Sequence, residues 1–383
     1  MSTIITPDLL REWRHEFHSH PETAFEEQRT SARIAEILAA RGIEMVTGLG
    51  GGTGVVAWVD GLRGSGSAIG LRADIDALDV TEANHFAHAS RTPGKMHACG
   101  HDGHTTMLLG AAYALTENPD FAGRVYFIFQ PAEENEGGGR VMVEEGLFER
   151  FPMEAVYGVH NWPGLEVGEA AVHDSAVMAA FDVFTVKLSG YGCHAAMPHL
   201  GKDVVLAACQ LVNQLQGIVS RETPAHQTAV MSVTQFHAGD AYNVMPETVE
   251  LCGTVRCFDA ELRDQLEERF RQAVASMATF HGLEASIDYQ SRYPATFNTP
   301  EHASRCADVL ESMPGIHRVR RDLPPSMASE DFAFMLQQRP GAYIWLGNGK
   351  DSAALHNPHY DFNDELAPIG VGYWTALVRT LLG

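Results

Sequence analysis

The stretch GRVYFIFQPAEE, Gly123 to Glu134, decides how the rest of the chain is read. Val125 to Phe129 are apolar without a break, and the run ends in polar residues that include two adjacent glutamates, Glu133 and Glu134. This is a strong strand that delivers carboxylates at its end. Upstream, HTTMLLGAAYAL reads as a buried helix, and GTGVVAWVDG and SAIGLRADIDAL read as strands. Downstream, GGGRVMVEEGLF reads as a short helix and AVYGVHNW as another strand. Strands that alternate with helices predict an α/β fold with a mostly parallel sheet. Two helices precede it, TPDLLREWRHEFHSHPE and RTSARIAEILAARG, the first stopped by Pro21 and the second by Gly42.

Near Phe181 the pattern changes. FDVFTVKLSG alternates as a half-exposed antiparallel strand does. Two more such strands, QTAVMSVTQFHAG and ETVELCGTVRCFD, lie between the helices GKDVVLAACQLVNQLQGIVS and AELRDQLEERFRQAVASMATFHG, and EASIDYQSR follows. The order is β-α-β-β-α-β. After about Tyr293 the α/β texture returns, with AYIWLGNG as a strand and LAPIGVGYWTALVRTLLG as a closing helix. The expected organisation is an α/β domain formed by residues 1–180 and 293–383, interrupted by an inserted α+β domain at 181–292.

Bulk properties narrow the function. At 383 residues, two domains are the default. The formal charge of -22 makes nucleic acid an unfavourable partner. No run of about 18 apolar residues is present to span a membrane. The N-terminus shows no secretory pattern, and the six cysteines follow no framework spacing. Reduced thiols and a cytoplasmic location are therefore expected.

Some motifs mislead. HEFHSH, His15 to His20, imitates a zinc-protease motif, but Ser19 stands where H-E-x-x-H needs histidine. A polar helix end is the expected reading. GTGVVA fits G-x-G-x-x-A but leads into a strand, which is the wrong context for a dinucleotide site. Neither a P-loop nor a serine elbow occurs.

Metal chemistry gathers at strand ends and turns. HACGHDGH offers Cys99 and His101, PAEENE offers Glu133 and Glu134, GVHNW offers His160, and LHNPHYDF offers His356 and His359. Thiolate, imidazole and carboxylate together suit zinc, manganese, cobalt or nickel better than calcium or magnesium. Of two adjacent glutamates, one can bind metal while its neighbour serves as a base. Asp74 and Asp76 are candidates to orient a ligand histidine from behind. Taken singly, each residue has a bland reading. His160 alone would more often be a hydrogen-bonded surface group, the glutamates a solvated turn, and Cys99 a small buried hydrophobe. A Cys99 nucleophile with His101 as base would leave the glutamate pair and His160 unexplained.

In order along nearly the whole chain, HSHPETAFEE, LRADIDAL, HACGHDGHTTMLLGAA, FQPAEENEGGG, GVHNWPGLEVG, GYGCHAAMPH, NVMPETVELCGTVR, SEDFAFM and LHNPHYDFND resemble the M20 metallopeptidases. The similarity is to the amidohydrolase branch, which holds hippurate hydrolases, N-acyl-amino-acid hydrolases and auxin-conjugate hydrolases. The resemblance implies two divalent ions, zinc or manganese, held by Cys99, His101, Glu134, His160 and His356, with Glu133 as general base. It implies that His194 meets the substrate carbonyl and that Asn243 and Arg256 hold its carboxylate. It further implies that the inserted domain is a lid that also dimerises, in a homodimer or homotetramer. Two departures stand out: Asp79 where the family usually has Pro, and Val204 after Asp203 where it often has Pro. The activity so implied is hydrolysis of a small N-acyl amino acid. A dipeptidase or carboxypeptidase, an N-acetyl-amino-acid deacetylase, and a retired small-ligand binder are the alternatives.

Overall fold

The computed structural model describes residues 5–134 and 136–383. The described chain divides into two compact units. One comprises the chain up to Val177 together with Phe297–Pro324 and Asp331–Gly383, and the other comprises Met178–Thr296 and Pro325–Glu330.

The first unit is built on an eight-stranded sheet. Its strands lie in the order Glu44–Leu49, Gly54–Asp60, Arg124–Gln130, Ala68–Asp74, Ala155–Pro163, Gly341–Gly349, Glu169–Val172 and Arg318–Arg320. At the centre Ala68–Asp74 runs parallel to both Arg124–Gln130 and Ala155–Pro163, and Ala155–Pro163 runs parallel to Gly341–Gly349. Toward one edge the pairing becomes antiparallel, through Gly54–Asp60 and Glu44–Leu49. The central strands are buried nearly end to end, and this is why their sequences are continuously apolar. Parallel strands bring their carboxyl ends to one side of the sheet, and Asp74 lies opposite Gln130 there.

The helix His101–Glu117 is buried almost all round, as its lack of a polar face requires. It packs on Ala68–Asp74 and against the helices Pro7–His18 and Leu366–Leu382. The first of these begins at a proline and is capped by Thr6, whose hydroxyl accepts the Leu9 N–H at 3.2 Å.

The second unit follows β-α-β-β-α-β in chain order. Its four-stranded sheet is antiparallel throughout, ordered Ala229–Ala238, Thr248–Cys257, Ala180–Ser189 and Glu284–Tyr293. The helices Val204–Gly217 and Ala260–His281 pack on it and share its core. Along Ala180–Ser189 every second residue is buried, including Asp182 among Phe184, Val186 and Leu188. That carboxylate is satisfied by Arg263 and by the Tyr289 hydroxyl, which donates at 2.9 Å.

The histidine-rich segment is a helix end, and the last residue of that helix, His18, is polar but fully buried. One ring nitrogen lies 2.8 Å from Asp102 and the other 3.3 Å from Glu82, while Arg14 joins Asp361 and Asp364 beside them. These charges tie the first helix to the start of His101–Glu117 and to the C-terminal loop. Burial pulls the His18 ring down, but hydrogen bonds to Asp102 and Glu82 outweigh it and lift its pKa to about 9.

A histidine held above its ordinary value stabilises the fold fully below about pH 6.5, and this contribution is lost as pH rises through about 9. Denaturant unfolding of the wild type should therefore weaken between these limits relative to His18→Gln, by a few kcal/mol at about 1.4 kcal/mol per unit. Parallel pH profiles for the two proteins would show that the pair carries no charge.

Candidate metal centre

Four chain segments meet at the carboxyl ends of the central strands. Cys99 and His101 flank Gly100, which sits at φ 95° at the start of the buried helix. A Cβ there would lie 2.1 Å from the Asn161 side-chain oxygen, so only glycine fits. Glu133 and Glu134 lie just past Arg124–Gln130, and His160 lies near the end of Ala155–Pro163. His356 arrives on the C-terminal loop at φ 63°, with its N–H donating to the Ala98 carbonyl at 2.8 Å.

The donor atoms form overlapping triads. Those of Cys99, His101 and His160 all lie within 4.8 Å of one another, as do those of Cys99, Glu134 and His356, and those of His101, Glu133 and Glu134. The Cys99 sulfur is 3.4 Å from His160 Nε2, and Glu134 Oε1 is 3.2 Å from His356 Nε2 and 4.0 Å from His101 Nε2. Cys99, His101, Glu133 and His160 are buried, Glu134 is partly buried, and the His356 side chain is 53% exposed. His359, the other histidine of that loop, is exposed and in none of the triads.

The residues fit a cation. His101 Nε2 is buried without a hydrogen bond, an expensive state for a polar atom unless something binds it. His101 donates from Nδ1 to the Asp76 carbonyl oxygen at 2.9 Å, and His160 from Nδ1 to the Asn161 carbonyl at 2.6 Å. Each ring, when neutral, therefore turns the lone pair of Nε2 to the cluster. Burial and the carboxylates of Glu134, Glu133 and Asp74 push the Cys99 thiol well up. Burial pulls the His160 ring well down. Burial also lowers His101, but Asp74, Asp76 and Glu134 overcome it and raise the ring to about 10. Binding a divalent ion would need the thiolate and the neutral ring, so uptake releases protons.

Behind the donors stands a second set of buried charges. Asp76 holds both His101 and the Glu134 backbone, whose N–H donates to Asp76 Oδ2 at 3.0 Å. His104 is committed on both sides: Nδ1 donates to Asp74 at 2.6 Å and Nε2 accepts the Asn161 N–H at 3.0 Å. It supports the cluster rather than joining it. Arg72 spans Asp74 at 2.7 Å and Asp331 at 2.9 Å, and the Asp331 N–H reaches Glu133 Oε1 at 3.4 Å. Sequence reasoning singled out neither Arg72 nor Asp331. An arginine in the middle of an apolar strand, as in IGLRADI, is the signal that could have found the first.

The remaining candidates lie in the second unit. His194 and Asn243 come together on a small ribbon in which His194 pairs with Val244 and the Ala195 N–H donates to the Asn243 carbonyl at 3.0 Å. His194 Nδ1 accepts the Ala196 N–H at 3.0 Å, which leaves Nε2 as a donor on an exposed ring. Cys193 packs its sulfur 3.5 Å from that of Met245. Arg256 sits apart, on Thr248–Cys257, with its guanidinium 3.9 Å over the Phe181 ring. It donates to Ser329 Oγ at 3.0 Å and Thr254 Oγ1 at 3.2 Å, and burial lowers its pKa. All six cysteines are free, and no helix among the described residues is long and apolar enough to cross a membrane.

Thiolate, imidazole and carboxylate donors at the strand ends of an α/β unit define a metalloenzyme centre. The model of peptidase family M20/M25/M40 matches residues 70–380, and the chain belongs to that family, in its amidohydrolase branch. The hippurate hydrolase of Campylobacter jejuni is 37% identical over 96% of this chain and 95% of that protein. The N-acetyl-L-cysteine deacetylase of Bacillus subtilis is 38% identical over 94% of this chain and 85% of its own. The crystal structure of the Bacillus subtilis YXEP protein, a dinuclear metal binding peptidase of the M20 family, superposes with a TM-score of 0.84 at 32% identity, covering 98% of each chain. The protein is thus a metal-dependent hydrolase acting on amides.

Because Asp76 orients one donor and anchors the backbone of another, Asp76→Ala should weaken metal binding by about 10- to 100-fold. Competition with a chromogenic chelator measures this. Unchanged affinity would remove Asp76 from the supporting set.

Proposed function

We propose that the protein hydrolyses the amide bond of small N-acyl amino acids of the hippurate kind, giving a carboxylic acid and a free amino acid. The observation that carries this reading is Glu133: a carboxylate 6% exposed, in a triad with His101 and Glu134, placed beside the donors instead of serving as a solvated turn. The similarity to a hippurate hydrolase and to an N-acetylcysteine deacetylase supports the substrate class.

Cys99, His101, Glu134, His160 and His356 are assigned as the ligands of two divalent ions, zinc or manganese. Bound there, the ions would supply a water of lowered pKa and polarise the carbonyl. Glu133 is assigned as the base that takes a proton from the attacking water and returns it to the leaving amine. The Asp331 N–H fixes the direction of the Glu133 carboxylate. His194, with a donor at Nε2, is assigned to the developing oxyanion.

Arg256 and Asn243 are assigned to the substrate carboxylate. Arg256 is suited to this because its hydrogen-bond partners, Ser329 and Thr254, are neutral hydroxyls, so a desolvated cation waits for an anion. Self-association into a homodimer is assigned to the second unit. A retired binding protein would have no use for Glu133 beside a complete donor set.

Three measurements test this. Protein loaded with manganese or zinc should release glycine from N-benzoylglycine, and chelation should abolish release. Glu133→Gln should keep its metal while kcat falls about 100-fold or more. Release without metal, or full activity in Glu133→Gln, would sink the mechanism. Arg256→Ala should lose kcat/KM on N-benzoylglycine by about 10- to 100-fold and change little on N-benzoylglycinamide. Equal losses on both would assign the carboxylate to another group.

A further inference from the structure

Among the described residues, three other than glycine hold a positive φ: Phe25 at 61°, Ala132 at 54° and His356 at 63°. His356 is one of the proposed metal ligands. The other two share a partner. Both the Phe25 N–H, at 3.1 Å, and the Ala132 N–H, at 2.9 Å, donate to Oε1 of Glu27. Oε2 of the same carboxylate accepts the Thr53 hydroxyl at 2.7 Å. Glu27 is fully buried.

Its place in the chain suggests another job. Glu27 stands at the N-cap position of the helix Gln28–Ala40, where an acidic side chain would ordinarily accept the first free N–H groups. It does not do so. Glu22 performs that task, accepting the Thr30 N–H at 2.8 Å and the Arg29 N–H at 3.1 Å. Glu27 turns away from its own helix toward the end of the strand Arg124–Gln130. A buried carboxylate with three donors and no capping duty holds something else in place.

What it holds is the residue before Glu133. A left-handed conformation at alanine is unfavourable and persists only where its surroundings enforce it. Further on, the Gly138 N–H closes the turn onto the Ala132 carbonyl at 2.8 Å, and a Cβ on Gly138 would lie 1.8 Å from the Pro131 oxygen. Glu134 is anchored separately, by Asp76. Glu133 therefore sits between two backbone amides, each fixed by a different buried carboxylate.

We propose that Glu27 is a positioning residue for the general base: by binding the Ala132 N–H it holds Ala132 left-handed and so aims Glu133, while Asp76 keeps Glu134 in place. The inference rests on the amidohydrolase reading for its consequence in catalysis, and on Glu27, Thr53 and Ala132 for its geometry.

The test uses the full-length chain loaded with manganese. Hydrolysis of N-benzoylglycine by the wild type checks the reading beneath, and inactivity there counts against that reading alone. The inference has its own readout, a crystal structure of metal-loaded Glu27→Ala. Ala132 should leave φ 54° and the Glu133 carboxylate should move off the Asp331 N–H, with bound metal unchanged. In an active wild type, Glu27→Ala should lower kcat by about 10- to 100-fold with KM within about threefold. Glu27→Gln, whose amide oxygen can accept the same two N–H groups, should restore most of kcat. Native φ at Ala132, wild-type kcat in Glu27→Ala, or loss of metal in step with loss of activity each overturns the proposal. Where Glu27→Ala does not fold, Thr53→Val, which removes only the donor to Oε2, should lower kcat by about 3- to 10-fold without metal loss. Wild-type kcat in that variant overturns it equally.

Discussion

Arg72 is the cation on which the metal centre is built. It is 1% exposed, in the middle of a central strand, and its guanidinium is divided among Gln130, Asp74 and Asp331. A charge at that depth persists only if every donor is matched. The matching has consequences in both directions. Asp74 holds His104, and His104 holds the backbone of Asn161 next to His160. Asp331 takes donors from Gln130 and from Gly139, and offers its own N–H to Glu133. One arginine thus connects the histidine side of the cluster to the carboxylate side.

The same network explains why the cluster suits a divalent ion. Asp74, Asp76, Glu133, Glu134 and Asp331 converge at the strand ends, with Arg72 as the guanidinium among them. Ionised together, they would repel strongly in a low-dielectric interior. Protonation of His101 relieves some of that charge, and its ring is raised accordingly. A bound cation relieves it better, because it also satisfies His101 Nε2, which is buried without a hydrogen bond. That unsatisfied nitrogen and the gathered carboxylates are two expressions of one design.

The second unit follows different rules. Its sheet is antiparallel and only partly covered, so its strands alternate, and the one buried acid of Ala180–Ser189 is answered by Arg263 and Tyr289. Its functional candidates, His194, Asn243 and Arg256, are exposed or paired with neutral groups, which leaves them able to exchange partners. Arg256 is the clearest case, stacked on Phe181 and hydrogen-bonded, among the described residues, to the Thr254 and Ser329 hydroxyls.

Much of this was legible in the sequence. Continuous apolar strands between helices specified the parallel centre of the sheet, and alternating strands specified the inserted α+β texture, because each pattern follows from how many faces of a strand are buried. The candidate donors that the structure brings together were legible because few chemistries need cysteine, histidine and paired glutamates at successive strand ends. The supporting charges were not. His18 reads in the sequence as part of a polar helix end, and sequence reasoning singled out neither Glu27 nor Arg72. Each takes its meaning from a partner far away in the chain: Asp102, Ala132 and Asp331. Local sequence carries propensity, hydrophobic period and ligand chemistry, all of which are properties of a residue and its near neighbours. Which buried charge meets which, and which backbone amide is forced left-handed, is fixed only when strands and loops converge, and that convergence belongs to the tertiary structure.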